Sequence, residues 1–189
     1  MKDEKIDMPK ILRIILIILI PTLAYPQTIQ FSIYVEDEAT ASQVRDMDFG
    51  QIVAGQGPID INPGDGNVGV FKISGKPDQD VIVTMDFPDS LTHESNSGKS
   101  IPLNLGWAYQ NNGASGPDYS FSSATIVPGD IARFRMKKQS GGPPGPPPNP
   151  RSSSQSDVDA FVFVYGTMYV GDVNPGWYTG TVTLTVEYD

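Results

Sequence analysis

The residue best suited to acid–base chemistry is the only histidine, His93, in the polar stretch "SLTHESNSGKS". A Ser-His-Asp triad would have to be built on this imidazole. The chain has no cysteine and no G-x-S-x-G elbow to supply an activated nucleophile. Carboxylate pairs such as Asp46/Asp48 and Asp157/Asp159 could serve a glycosidase, but acidic proteins in general contain such pairs. We therefore expect that the protein is not an enzyme.

Hard oxygen atoms lie close together in "DINPGDGN", residues 60–67. Asp60, Asn62 and Asp65 have the short spacing and the oxygen ligands that Ca²⁺ uses. The spacing misses the EF-hand pattern, no bidentate glutamate follows, and an ordinary turn explains the same residues. Ca²⁺ is therefore the one candidate cofactor. We otherwise expect none, because zinc, iron and copper sites need more histidine or cysteine.

Flat aromatic side chains are the remaining groups that could bind a ligand. Trp107, Tyr109 and Trp177 could line a sugar-binding face, since aromatic rings stack on the apolar faces of sugars. In a β-sandwich, most such residues fill the core or the strand edges instead. A secreted carbohydrate-binding or adhesin-type surface module is accordingly the alternative function.

The charge of the chain excludes one class of partner. The formal net charge is −9, with 13 Lys and Arg among 189 residues. We expect no nucleic-acid partner, because no basic patch exists to displace counterions from phosphates. The densest basic cluster, "RFRMKK" at 133–138, is explained as the solvated face of one strand.

The first residues predict export. Lys10 and Arg13 precede the apolar run "IILIILI", and Pro21 and "TLA" follow with small residues where a signal peptidase cuts. The apolar run is about half the roughly 20 residues that span a bilayer as a helix. We interpret residues 1–24 as a signal peptide. Residues 25–189 would be a single secreted or cell-surface domain, periplasmic in transit and without a membrane span after cleavage.

Turn residues divide the rest of the chain into short apolar runs. The chain contains 19 Gly and 17 Pro, and no stretch after the leader keeps a helical period over three turns. This pattern is typical of all-β proteins, and we predict an Ig-like or pilin-like antiparallel β-sandwich. The predicted strands cover residues 28–35, 47–53, 69–74, 80–87, 101–109, 131–138, 160–170 and 177–188.

Two segments have a different composition. "EDEATASQVRD" (36–46) is polar between two apolar runs, and we predict that it is a tether. The Pro/Gly/Ser-rich segment 140–157 cannot form a core or a ladder, because proline lacks an N–H. It is predicted to be a loop insertion between two strands, and presentation of a polyproline segment to a partner is the alternative.

The last predicted strand lies in "GWYTGTVTLTVEYD" and alternates regularly along its length. Its two ends, Gly176 at the fourteenth position from the C-terminus and Tyr188 at the penultimate one, resemble the C-terminal assembly motif of chaperone–usher pilin subunits. The resemblance implies an incomplete sandwich whose last strand pairs first with a periplasmic chaperone and then with a neighbouring subunit's N-terminal strand. The residues that would form this assembly strand are Gly176, Tyr178, Gly180, Val182, Leu184, Val186 and Tyr188.

Both ends of the chain also resemble a secreted bacterial family, domain-of-unknown-function family 4402. "MDFGQIVAG" (47–55) is similar to an "LDFG" strand near the mature start of that family, and "NPGWYTGTVTLTVEY" (174–188) is similar to its final turn and strand. The resemblance implies the fold and export, but no activity.

A candidate donor strand follows the predicted leader. "TIQFSIYV" (28–35) alternates four apolar side chains, Ile29, Phe31, Ile33 and Val35, with polar ones. It could enter a neighbour's groove or its own sandwich, and alternation alone does not distinguish the two. We expect a structural cell-surface or fimbria-like fibre subunit that self-associates by β-strand complementation, with a periplasmic chaperone as a candidate partner.

Overall fold

A computed structural model describes residues 38–113, 120–138 and 157–189. Over these residues the chain forms eleven strands and one 3₁₀ turn at Phe121–Ser123, with no α-helix. The strands are β1 (Thr40–Arg45), β2 (Gly57–Ile61), β3 (Gly69–Gly75), β4 (Asp80–Asp86), β5 (Ser90–His93), β6 (Asn96–Gln110), β7 (Thr125–Val127), β8 (Ile131–Arg135), β9 (Val158–Val170), β10 (Tyr178–Thr179) and β11 (Thr183–Tyr188).

The first sheet is curled around its two longest strands, β6 and β9. Its order is β1-β3-β9-β6-β5-β10. In addition, β2 pairs with residues 166–170 of β9, and β7 pairs with residues 107–109 of β6. All of these pairs are antiparallel. The sequence of β9 is almost continuously apolar because both of its faces are buried, as expected for a strand in the centre of a sheet.

The second sheet has three strands in the order β11-β4-β8, also antiparallel. Alternate residues of its central strand, Val81, Val83 and Met85, are buried and face the first sheet. The main core between the two sheets consists of these residues with Ala39, Ile73, Trp107, Phe134, Met136, Val158, Ala160, Val162 and Val164. The prediction of an all-β antiparallel sandwich is therefore confirmed.

Two smaller apolar clusters extend the core. One covers the other face of β9, where Phe161 and Phe163 pack with Ile61 and Val70. The other lies at the end of β6 and β9, around Ile101, Met168 and Val170. The first sheet is longer than the second, so this end of it is covered by loops instead of strands.

The predicted tether was wrong for most of its length. Residues 40–45 form β1, which pairs with β3 from Thr40↔Ser74 to Arg45↔Val70. Five of its six side chains are exposed. The polar composition did not predict a strand, because an edge strand can be held by main-chain hydrogen bonds and needs no apolar side chains.

The predicted strand at 47–53 was also wrong, because these residues form an irregular segment. The Gly50 N–H donates to Asp48 Oδ1 at 2.8 Å, and Gly50 has a φ of +74°. This is the local turn that aspartate and glycine favour. Met47 and Phe49 still point inward and pack on the core clusters, which explains the alternation without a strand.

Other predicted features lie outside the described residues. These are the leader at 1–24, the donor strand at 28–35 and nearly all of the Pro-rich segment at 140–157. Among the described residues, no helix is long and apolar enough to span a membrane.

Candidate functional site

The edge strand β11 has one half-buried apolar face. Leu184, Val186 and Tyr188 pack on the main core, while Thr183, Thr185 and Glu187 are exposed. One side of its main chain pairs with β4, and no described strand pairs with the other side. An edge of this kind has free N–H and C=O groups that can pair with a further strand.

The opposite edge of the same sheet, β8, is protected by charge. Arg135 forms a two-atom ion pair with Asp80 across the β4–β8 pair, with Nε 2.9 Å and Nη2 3.2 Å from the carboxylate oxygens. The hydrogen bond from Arg135 lowers the pKa of Asp80 from its ordinary value of 3.8. Arg133 pairs with Asp189 at 2.5 Å. Because cationic side chains discourage strand addition, β11 is the more accessible of the two edges.

The side of the sandwich between β1 and β11 is closed at the Tyr188 end. The Lys76 N–H donates to Tyr188 Oη at 2.8 Å. A Cβ on Gly75 would meet the same hydroxyl at 3.1 Å and the Ala39 side chain at 3.7 Å. The first described residues therefore lie next to the C-terminal end of β11.

The other end of this side opens into a cleft of about 600 Å³, which we call the end cleft. Its floor is the inner face of the first sheet, including Ile101, Leu103 and Met168. Its walls are the irregular segment 46–52 after β1 and the segment 176–182 before β11, which includes the short strand β10. The end cleft is thus lined in part by Val182, next to the start of β11.

His93 holds the second of these walls in place. The Ser95 N–H donates to His93 Nδ1 at 3.1 Å, so Nε2 carries the proton and donates to the Pro175 carbonyl at 3.2 Å. The ring also contacts Tyr178 edge-on, with centroids 4.9 Å apart. Gly176 has a φ of +150°, and a Cβ there would overlap the imidazole. Both ring nitrogens are therefore engaged by the main chain, and His93 has a structural position.

The predicted assembly strand is divided into two parts. Tyr178 and Thr179 form β10 and pair with β5 in the first sheet, whereas residues 183–188 form β11 in the second sheet. Residues 180–182 connect the two sheets and belong to no strand. Val182, Leu184, Val186 and Tyr188 face the main core as the alternation predicts, but Gly176, Tyr178 and Gly180 line the end cleft or the turn beside it.

The three predicted sugar-binding residues are not brought together. Trp107 is 1% exposed, and its indole N–H donates to the Gly129 carbonyl at 2.6 Å. Tyr109 is stacked on Phe134 in the core, with ring centroids 4.2 Å apart. Only Trp177 is available to a ligand, with 77% of its surface exposed at the rim of the end cleft. A sugar-binding face that includes Trp107 is excluded by its burial, whereas sugar binding through Trp177 stays a prediction.

The predicted calcium ligands make hydrogen bonds of their own. Asp60 lies in β2 and accepts from the Thr167 hydroxyl at 2.6 Å. Asp65 accepts from the Asn62 N–H at 2.7 Å and closes the turn after β2. Among the described residues, no group of three or more His, Cys, Asp or Glu side chains could hold a metal ion. Calcium binding by these residues stays a prediction.

The carboxylate pairs are separated by their partners. Asp157 pairs with Lys76 at 2.7 Å, while Asp159 accepts from the Ser74 hydroxyl at 2.7 Å. Asp46 and Asp48 are exposed at the edge of the end cleft.

The end cleft was not predicted from the sequence, because its floor and walls come from strands and loops far apart in the chain. The one available signal was Asp48 followed by Gly50, which indicates a turn.

Comparisons of the chain with protein-family models, curated proteins and solved structures find no match.

Proposed function

We propose that the protein is an exported structural subunit of a cell-surface or fimbria-like fibre, and that β11 is the edge where subunits join by β-strand complementation. The observation that supports this proposal is the difference between the two edges of the second sheet. β8 carries paired arginines, whereas β11 has a half-buried apolar face and no described partner on its outer side.

The incoming strand in this proposal is residues 28–35 of a neighbouring copy. Its alternate side chains, Ile29, Phe31, Ile33 and Val35, match the alternation of a strand with one buried face. Burying four such side chains contributes about 6–12 kcal/mol before the ordering cost. This is enough to hold subunits together through one strand.

Because residues 40–45 form β1, the segment that connects the donor strand 28–35 to the sandwich is shorter than the predicted tether. Four residues, 36–39, separate residue 35 from the start of β1, and they span at most about 14 Å. A donor that reaches a neighbour across so short a link requires closely packed subunits. The rival arrangement is insertion beside the chain's own β11, which leaves the protein monomeric.

Two adjacent substitutions test the donor. Phe31→Asp places a charge on the apolar face of residues 28–35, and Ser32→Asp places the same charge on the polar face. We expect the wild-type protein and Ser32→Asp to form oligomers that light scattering detects, and Phe31→Asp to be monomeric and folded by circular dichroism. Wild-type protein that is monomeric at all concentrations would contradict the proposal.

A further inference from the structure

We propose that the end cleft binds an extended peptide segment in which basic and large apolar side chains alternate. The end cleft has the size range of ligand pockets. Its residues are largely distinct from the β11 edge, so this inference does not depend on the proposed fibre function. Three properties of the end cleft carry it: an apolar floor, an acidic rim with an exposed indole, and walls in which part of the main chain belongs to no strand.

The floor offers apolar surface that is only partly covered. Leu91, Leu103 and Leu105 are half-buried, and Phe49 and Ile52 come in from the wall at 46–52. All of these side chains except Leu105, which packs on the main core, pack around the apolar cluster of Ile101, Met168 and Val170. Large apolar side chains of a ligand would be removed from water here, whereas sugar hydroxyls would lose hydrogen bonds to water without finding partners.

The rim selects the sign of the ligand's charge. Asp46 and Asp48 line the end cleft, and none of the lining residues is Lys, Arg or His. Asp46 accepts one hydrogen bond through Oδ1 from Gln43, and Asp48 accepts one through Oδ1 from Gly50. The second oxygen of each carboxylate can accept from a ligand. Charge complementarity therefore favours a cationic ligand and disfavours phosphates and acidic sugars.

Trp177 adds a second site for a cation on the same rim. Trp177 is 77% exposed and lines the end cleft beside Tyr178. Lysine and arginine side chains bind over the face of tryptophan more favourably than over other rings. The indole and the two carboxylates line the same cleft, and a cationic side chain would be attracted to both, whereas a neutral sugar has no charge for either to attract.

The walls favour an extended backbone as the occupant. Residues 46–53 and 180–182 belong to no strand. The main chains of Asp48, Gly50 and Val53 are already hydrogen-bonded, so a ligand's main chain would pair with other residues of these two segments. A segment bound this way turns alternate side chains to opposite sides. Its apolar side chains would face the floor, and its basic side chains would face the rim.

The intrinsic fluorescence of the purified protein provides a direct test. The chain has two tryptophans, and Trp107 is buried, so a ligand over the end cleft changes the emission of Trp177. The probe is a seven-residue peptide in which lysine alternates with leucine and phenylalanine. The controls carry glutamate in place of lysine, or serine in place of the apolar residues. We expect a saturable blue shift with the probe and at least about a tenfold weaker response with either control.

Matched variants locate the binding. Asp46→Asn with Asp48→Asn keeps the side-chain oxygens that accept from Gln43 and Gly50 but removes both charges. Asp130→Asn removes a charge from the β7–β8 turn, which does not line the end cleft. We expect the double variant to weaken probe binding about tenfold and Asp130→Asn less than twofold. Trp177→Ala, measured by calorimetry, should weaken it about tenfold.

Three results would overturn the proposal. They are equal binding of the glutamate peptide, equal weakening by Asp130→Asn, and binding of a neutral glucose oligosaccharide in place of the probe. A peptide of residues 28–35 contains no basic residue, and we expect it to leave the Trp177 emission unchanged. Failure here is therefore distinguishable from failure of strand complementation at β11.

Discussion

At the scale of single residues, the two tryptophans have opposite environments. Trp107 is enclosed between the sheets and its indole N–H is bonded to the Gly129 carbonyl, whereas Trp177 is 77% exposed. The alternating pattern around each of them in the sequence is similar, because burial depends on which sheet covers a strand. The two residues therefore differ in what they contribute to stability and to binding.

Trp107→Ala should lower the free energy of unfolding by about 3–5 kcal/mol, through the cavity and the lost hydrogen bond. Trp177→Ala should change it by less than about 0.5 kcal/mol, as most surface substitutions do. Urea unfolding of both variants, followed by circular dichroism, measures the difference. Equal effects would contradict the burial of Trp107.

Gly166 is a second residue with a specific structural requirement. It has a φ of +149°, and a Cβ there would overlap the main chain of Asn104 and Leu105 on β6. Gly166→Ala should cost at least about 1–3 kcal/mol from backbone strain alone. Gly171→Ala is the control, since nothing lies within 4 Å of a Cβ at that position. A urea midpoint for Gly166→Ala equal to that of Gly171→Ala would be inconsistent with the β6–β9 contact.

At the scale of elements, the second sheet is held on one side by ion pairs and left open on the other. The Arg135–Asp80 pair joins β8 to β4. On the other side of β4, β11 presents Thr183, Thr185 and Glu187 to solvent. This asymmetry makes β11 the edge at which a further strand would add.

The Asp80 carboxylate should make the β4–β8 pair sensitive to acid. Its pKa is lowered in the folded state by the hydrogen bond from Arg135. Its contribution to stability is therefore complete above the unfolded value near 3.8 and is lost as the pH falls through the lower folded pKa. We expect Asp80→Asn to flatten the acid limb of a plot of urea midpoint against pH, and Arg135→Gln to flatten it to the same extent. An unchanged acid limb in both variants would contradict the pairing.

Sequence patterns predicted the buried strands well and the edges poorly. The apolar run of β9 and the alternation of β3 and β4 can be seen in the sequence, because buried positions are occupied by apolar residues. β1 has mostly exposed side chains and is held by main-chain pairing, so its sequence contains no apolar pattern that predicts a strand. The alternation of residues 176–188 continues across the change of sheet at 180–182. The sequence does not show this change, because it depends on which distant strands the two parts pair with. The end cleft, likewise, depends on which loops cover the longer sheet.

At the scale of the whole molecule, two separate surfaces are proposed to act. The β11 edge would receive residues 28–35 of a neighbour, and the end cleft would receive a basic and apolar segment of a partner. Val182, the residue before β11, lines the end cleft. Subunits joined through β11 would therefore present their end clefts at regular intervals along a fibre.

The measurement that tests strand complementation most directly is hydrogen exchange at β11. The acceptor is the full chain carrying Phe31→Asp and Ile33→Asp, which disable its own donor, and the ligand is a peptide of residues 28–35. We predict that this peptide slows exchange over residues 183–188 and leaves β8 unchanged, while the same peptide with Phe31→Asp has no effect. Unchanged exchange over residues 183–188, or slower exchange at β8 instead, would contradict the assignment of β11 as the accepting edge.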